Sequence, residues 1–126
     1  MPLSRQKLHN DGEKIHIAVW PSVREIHQIA SRHYAFEGRC FVLASGLIMK
    51  NADMPKQFNY KGKENFLING GSCIIGPDGN FIVEPVFDKE TIVYADIDLR
   101  MIDREVMTLD TTGHYYRDDI FNFALR

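Results

Sequence analysis

This chain of 126 residues lacks the features that most directly assign a location or a partner. It has no apolar run long enough to cross a bilayer, and residues 1–10 are polar, without the apolar stretch of a signal peptide. The formal net charge is -2, and the 15 basic residues are scattered, not grouped in a stripe with aromatic residues. We therefore expect a cytoplasmic protein with neither a membrane nor a nucleic-acid partner.

Cysteine is scarce as well. Cys40 and Cys73 both lie in apolar, strand-like runs, a context typical of buried free thiols in a reducing compartment. Cys73 follows Gly70-Gly-Ser72, but a catalytic thiol needs a neighbouring base or an electropositive setting, and neither context supplies one. The five histidines show no metal-ligand spacing. The residues predict two structural cysteines, no metal site and no convincing catalytic centre.

The first third of the chain predicts a strand followed by a helix. Residues 14–20 are rich in β-branched and aromatic residues, and Pro21 ends the strand. Ser22 and Glu25 have capping-box spacing, and apolar residues recur at helical spacing after them. Gly38 is the expected left-handed stop of this helix.

The middle of the chain predicts a buried strand, a loop and a hairpin. Residues 40–47 form an apolar run typical of a strand buried on both faces. Residues 50–69 are polar and aperiodic, which favours a long loop. Residues 72–75 and 80–83 flank Gly76-Pro-Asp-Gly79, whose turn chemistry predicts a β-hairpin.

The last third predicts a strand over residues 91–97, a short helix capped by Asp98, and an extended aromatic tail from about residue 108 to 126. Together these elements predict an α+β fold, with a mixed sheet and helices packed on one face. The other face of the sheet is then apolar and uncovered, which indicates a further layer.

Five segments resemble, in the same order, segments of the nitrilase family of carbon–nitrogen hydrolases. They are Met1–Leu3 with Gly12–Ser22, Ala30–Leu43, Gly70–Gly79, Ala95–Leu99 and Gly113–Asp119. The resemblance covers the chain apart from residues 50–69. The Gly113-His-Tyr tail resembles nitrilases proper, although Tyr116 and Asp118 stand where the family often has Ser and Pro.

The resemblance implies half of an α-β-β-α sandwich, a single partial domain over residues 1–126 that forms the C-terminal half. Members hydrolyse nonpeptide carbon–nitrogen bonds without a metal or organic cofactor. A Cys thiolate attacks the nitrile carbon, Glu acts as general base and Lys stabilises the developing charge, which releases acid and ammonia. Those three residues would all lie upstream of Met1. The expectation is therefore a piece of a longer nitrilase, inactive alone, with no catalytic residue of its own.

Trp20 and Pro21 match a strand end that borders the family's substrate pocket, so the resemblance makes them the expected substrate-lining residues. A core tryptophan followed by a strand-ending proline is the alternative. The implied ligand is a small nitrile or amide, and the uncovered sheet face predicts a homo-oligomer. Two other functions stay open: a noncatalytic interaction protein that assembles with copies of itself, and one half of a split hydrolase.

Overall fold

A computed structural model describes residues 2–58 and 65–121. Its helices are α1 (Pro2–Asn10), α2 (Glu25–Gly38) and α3 (Arg100–Val106), and its strands are β1 (Ile15–Trp20), β2 (Phe41–Gly46), β3 (Ile48–Lys50), β4 (Phe66–Ile75) and β5 (Phe81–Phe87). Two short 3-10 turns, at Asn51–Asp53 and Lys56–Phe58, follow β3. Within these residues, no helix has the length and apolar character needed to span a membrane.

The five strands form one mixed sheet in the order β1-β2-β4-β3, with β5 also paired to β4. Strands β1 and β2 are parallel, with Ile15 opposite Phe41, and α2 is the crossover between them. All other pairings are antiparallel and involve β4. Its last residues pair with β2 and its first residues pair with β3, so β4 joins the two parts of the sheet.

The core lies between α2 and one face of the sheet. Because side chains alternate along a strand, every second residue of β1, β2 and β4 points toward the helix. The buried cluster consists of Ala18, Val23, Ala35, Cys40, Val42, Ala44, Cys73 and Ile75, with Trp20, Tyr34 and Phe81 packed against it. The predicted α+β fold, a mixed sheet with helices, is confirmed.

The remaining side chains of β1 lie on its opposite face and are exposed to solvent. Ile15, Ile17 and Val19 are 42%, 67% and 78% exposed. The segment at residues 91–93 lies near Leu43 and Ile74 on this face, which leaves the outer side of β1 uncovered among the described residues.

Two local predictions agree closely with the structure. The hairpin joins β4 to β5, and its turn closes with hydrogen bonds from the Gly79 amide to the Gly76 carbonyl and from the Gly76 amide to the Asn80 carbonyl, both 2.9 Å. Gly79 has a φ of 79°, the conformation for which glycine is favoured. Cys40 and Cys73 are fully buried free thiols, as predicted.

The predicted ends of α2 are wrong in detail. The helix begins at Glu25, and its N-cap is Arg24, whose side chain makes no capping bond, so the Ser22–Glu25 capping box does not form. At the other end, the left-handed residue is Arg39, one position after Gly38. Gly38 serves a different purpose, because a Cβ there would lie 2.3 Å from Nε2 of His9.

Other elements differ from the prediction along their whole length. The polar stretch of residues 1–10 contains α1, and the predicted loop at 50–69 contains two 3-10 turns and the start of β4; residues 59–64 lie outside the described part. Residues 91–97 form no strand and pair with no strand among the described residues. The described part of the tail is a series of turns instead of an extended segment. Asp98 does accept the Arg100 amide hydrogen, 3.0 Å away, at the start of α3.

Candidate functional site

A cleft lies at the carboxyl ends of β1 and β2. Because these strands are parallel, their carboxyl ends meet at the same edge of the sheet, where α/β proteins commonly bind ligands. The cleft has a volume of about 600 Å³ and is bordered by strands β1 to β5 and by residues 89–91. Its lining residues are Val19, Trp20, Ser45, Gly46, Leu47, Ile48, Lys50, Asp53, Gly70, Ser72, Val86, Lys89, Glu90 and Thr91.

The floor of the cleft depends on glycines where β2 and β4 approach each other. The Gly46 amide donates to Oγ of Ser72 at 3.0 Å, and a Cβ on Gly46 would lie 2.3 Å from the Gly70 carbonyl oxygen. Gly71 has a φ of 92°, and a Cβ there would meet the Val23 carbonyl oxygen at 2.6 Å. The Gly70-Gly-Ser72 run therefore allows close packing of β4 against β2 and against the backbone at Val23.

Four charged side chains surround the opening. Lys50 and Asp53 come from the end of β3 and the turn after it, and Lys89 and Glu90 follow β5. The Asp53 carboxylate accepts the Lys50 amide hydrogen at 2.9 Å, which fixes this turn. A cleft with charges of both signs and apolar walls can orient a small polar molecule. No local sequence pattern predicts these residues as neighbours, because they come from two loops that are brought together by β4.

Trp20 and Pro21 stand in different environments. Trp20 borders the cleft, and its indole Nε1 donates to Oγ of the buried Ser31 at 3.2 Å, while its ring lies 4.9 Å from the ring of His27. This indole is also part of the packing against the core. Pro21 is exposed and does not line the cleft as the structure describes it. The predicted substrate-lining role of both residues stays a prediction.

Neither cysteine is an activated nucleophile. Burial raises the pKa of Cys73 to about 11, with a smaller effect from Glu84, and burial raises the pKa of Cys40 to about 12, with a smaller effect from Glu13. A thiol attacks as its thiolate, so both groups are unreactive at neutral pH. The described cleft lining includes no cysteine and no histidine. Among the described residues, this chain therefore brings charged and apolar side chains to the cleft, and no cysteine.

Sequence comparison finds one family. The model of the carbon–nitrogen hydrolase family matches residues 1–104. The chain is 37% identical over 131 aligned residues to an arylacetonitrilase of Trametes versicolor and 34% identical over 128 residues to a nitrilase of Bradyrhizobium diazoefficiens. These alignments cover 100% and 99% of this chain but 41% and 40% of the relatives. The chain thus spans about two fifths of the length of these curated relatives.

Solved structures give the same relationship at the level of the fold. A carbon–nitrogen hydrolase from Helicobacter pylori G27 superimposes with a TM-score of 0.72 at 20% identity, over 95% of this chain and 43% of that one. A CN-hydrolase superfamily protein from Xanthomonas campestris superimposes with a TM-score of 0.60 at 21% identity, over 90% of this chain and 37% of that one. At these identities the likeness concerns the fold alone.

Proposed function

The chain belongs to the carbon–nitrogen hydrolase family, and we propose that it forms the C-terminal half of a nitrilase that converts small nitriles to carboxylic acids and ammonia. In this proposal it supplies one wall of the substrate cleft, at the carboxyl ends of β1 and β2. The catalytic Cys, Glu and Lys come from the complementary portion of the enzyme. The observation that carries the proposal is a cleft of about 600 Å³ at the carboxyl ends of two parallel strands, lined by charged and apolar side chains and, among the described residues, by no cysteine.

The raised pKa values of the two thiols support the proposal that the nucleophile comes from the complementary portion of the enzyme. Covalent hydrolysis of a nitrile requires a thiolate beside a base. Here the pKa of each thiol is raised, to about 11 for Cys73 and about 12 for Cys40, by burial in the core. The proposal therefore expects this chain alone to leave nitriles intact.

The names of the relatives suggest the substrate class. The relative with 37% identity is an arylacetonitrilase, and the one with 34% identity is a nitrilase. We therefore propose an arylacetonitrile or a similar small nitrile as the substrate. Its nitrile group would lie near the complementary catalytic residues, and its organic part would lie against the wall that includes Trp20.

The test is a chimera in which this chain replaces the matching two fifths of the Trametes versicolor arylacetonitrilase. Ammonia release from phenylacetonitrile is expected from the chimera and not from the isolated chain. The matched control changes Cys73→Ala, which should leave turnover near that of the parent chimera. Nitrile hydrolysis by the isolated chain that disappears on changing Cys73 or Cys40 would overturn the proposal.

The same chimera tests the cleft wall. Trp20→Phe keeps an aromatic ring but loses the bond to Ser31, whereas Trp20→Ala also removes the ring from the cleft. A substrate-lining role predicts a rise in KM for Trp20→Ala that exceeds its effect on kcat. Equal losses in both parameters, together with lower thermal stability, would assign Trp20 to the core alone. Expressing the two portions as separate chains tests the split-hydrolase alternative.

A second candidate function is assembly without catalysis. The open face of β1, with Ile17 and Val19 mostly exposed, favours it, since an apolar strand face of this kind commonly marks an interface. A copy of the same chain would cover this face. Light scattering should then show a dimer that Ile17→Lys converts to a monomer, and a monodisperse parent monomer at high concentration would argue against assembly.

A further inference from the structure

We propose that His9, Glu13 and Cys40 form a binding site for one divalent zinc-class cation. Each of the three side chains offers one donor atom, and these atoms all lie within 4.8 Å of one another. Neutral imidazole, carboxylate and a thiolate that the bound ion itself deprotonates are together a ligand set that zinc accepts in proteins. This cluster lies at the amino ends of β1 and β2, at the opposite end of those strands from the cleft.

The chain places the three donors at three junctions. His9 is in the last turn of α1, Glu13 lies just before β1, and Cys40 lies between α2 and β2. The Phe41 amide donates to the Lys14 carbonyl at 2.9 Å, which aligns the starts of the two strands and brings the residues preceding them together. A bound cation would therefore connect α1 directly to the sheet.

The state of His9 points independently to a ligand. Its side chain is only 4% exposed, yet neither Nδ1 nor Nε2 has a hydrogen-bond partner among the described residues. A buried polar group without a partner costs free energy, so such groups usually have a reason to persist.

The side chains of Tyr34 and His16 hold the Glu13 carboxylate in place at this cluster. Its carboxylate accepts a hydrogen bond from the Tyr34 hydroxyl at 2.5 Å and lies 2.8 Å from Nδ1 of His16. The ring of His16 stacks on Tyr34 at 4.0 Å, and the edge of His9 meets the same tyrosine at 4.7 Å. In metal sites, residues that hydrogen-bond to a ligand in this way fix the orientation of that ligand.

The donor atoms are far enough apart to hold an ion between them, and a neighbouring cavity provides a route to two of the three ligands. Tetrahedral zinc separates its donor atoms by about 3.3–3.8 Å, so the three side chains need to close by roughly 1 Å. A cavity of about 140 Å³ on the side of α3 is lined by two of the three proposed ligands, His9 and Glu13, but not by Cys40. A water molecule in this cavity would supply the fourth ligand.

The spacing of the histidines predicted no metal site, because this site uses a single histidine with donors from two other junctions. Its test uses the 126-residue chain without a histidine tag, titrated with Co²⁺ as a spectroscopic probe and then with Zn²⁺. We expect one equivalent of Co²⁺ to bind with a thiolate-to-cobalt charge-transfer absorption, and Zn²⁺ to displace it.

Matched variants assign the donors. Cys40→Ser should lose the charge-transfer absorption, and it should weaken zinc binding at least about tenfold, as should His9→Gln. Cys73→Ser, which changes the other fully buried thiol, should keep both the absorption and the affinity. Zinc should raise the Tm of the parent chain and of Cys73→Ser, but not that of Cys40→Ser.

Three results would overturn the site. The first is the lack of stoichiometric binding by the parent chain. The second is an absorption that persists in Cys40→Ser. The third is unchanged zinc affinity in His9→Gln, which would leave the cluster with a packing role only.

Discussion

Replacing Arg39 with alanine should destabilise this chain more than any other single change at an arginine. Arg39 is only 4% exposed and lies at the end of α2 in the left-handed conformation. Its guanidinium donates to the carbonyls of Pro77 at 3.0 Å and Leu109 at 3.1 Å, and to Oγ1 of Thr108 at 2.9 Å. One side chain thus connects the helix, the hairpin turn and the segment after α3.

The magnitude follows from these three bonds. A hydrogen bond from a charged donor contributes about 1.5–3 kcal/mol net, and bonds that share one group are not additive. Glu105, whose carboxylate lies 3.7 Å from Nη1 and whose side chain is 27% exposed, keeps some hydration and adds little. Alanine retains the left-handed strain, so the backbone gives no compensation. We expect a loss of about 3–4 kcal/mol in the free energy of unfolding, near the lower end for breaking a buried charged network.

Urea denaturation followed by circular dichroism measures this loss, and Arg32→Ala is the matched control. Arg32 is exposed and makes one hydrogen bond, to the Gly79 carbonyl at 2.7 Å, with Phe81 5.2 Å from its guanidinium carbon. Because Arg32 is exposed and its guanidinium stays hydrated, its replacement should cost only about 1 kcal/mol. Arg39→Lys should fall between the two, since an ammonium cannot reach three acceptors in a fork. A loss for Arg39→Ala within about 0.5 kcal/mol of that for Arg32→Ala would refute the reasoning.

Two further predictions concern buried contacts. Burial raises the pKa of Cys73 from 9.0 to about 11, so iodoacetamide at pH 8 should modify it about 100-fold more slowly in the native chain than in urea. Because the folded pKa is the higher one, the stabilisation from the protonated thiol is complete below about pH 9 and is lost as the pH rises toward about 11, which pH-dependent urea titrations should show. Gly38→Ala should cost about 1–3 kcal/mol, because its Cβ would lie 2.3 Å from Nε2 of His9. Much of that loss should disappear in a His9→Ala background, and an additive double mutant would contradict the steric explanation.

The sequence predicted best where local chemistry decides the structure. The hairpin turn has proline and glycine at the positions that its conformation needs, and no distant contact is required to form it. The run at residues 40–47 is apolar enough to predict a buried strand, and β2 occupies residues 41–46. Both buried thiols follow from their apolar surroundings.

The errors occur where distant contacts decide. The sequence of α1 has no apolar stripe that would predict a helix. In the structure, Leu3 and Leu8 of this helix are 66% and 42% exposed, and its buried residue is His9. Residues 91–97 have strand propensity, but a strand also needs a partner, and the described residues offer none there. Arg39, not Gly38, has the left-handed conformation after α2, and its guanidinium donates to three acceptors on later segments that no local pattern predicts.

The candidate site was the least predictable part. The family resemblance predicts Trp20 and Pro21 as substrate-lining residues; Trp20 lies at the cleft border and Pro21 does not, and the substrate-lining role stays a prediction. Lys50 and Lys89, by contrast, stand 39 positions apart in two loops, and only the fold of β4 against both β3 and β5 brings those loops to one cleft. No local pattern of charge or spacing encodes that proximity.

The position of β4 also governs how the chain can fold while it is being synthesised. Strand β2 has β1 beside it at once, but its other neighbour is completed only with Ile75, 29 residues after Gly46 (75 - 46). At ribosomal rates of about 5–20 residues per second, this interval is roughly 1.5–6 s. During that time β2 presents an unpaired edge with Phe41 and Val42, which the finished fold buries completely, and this edge is the surface we expect a chaperone to meet first.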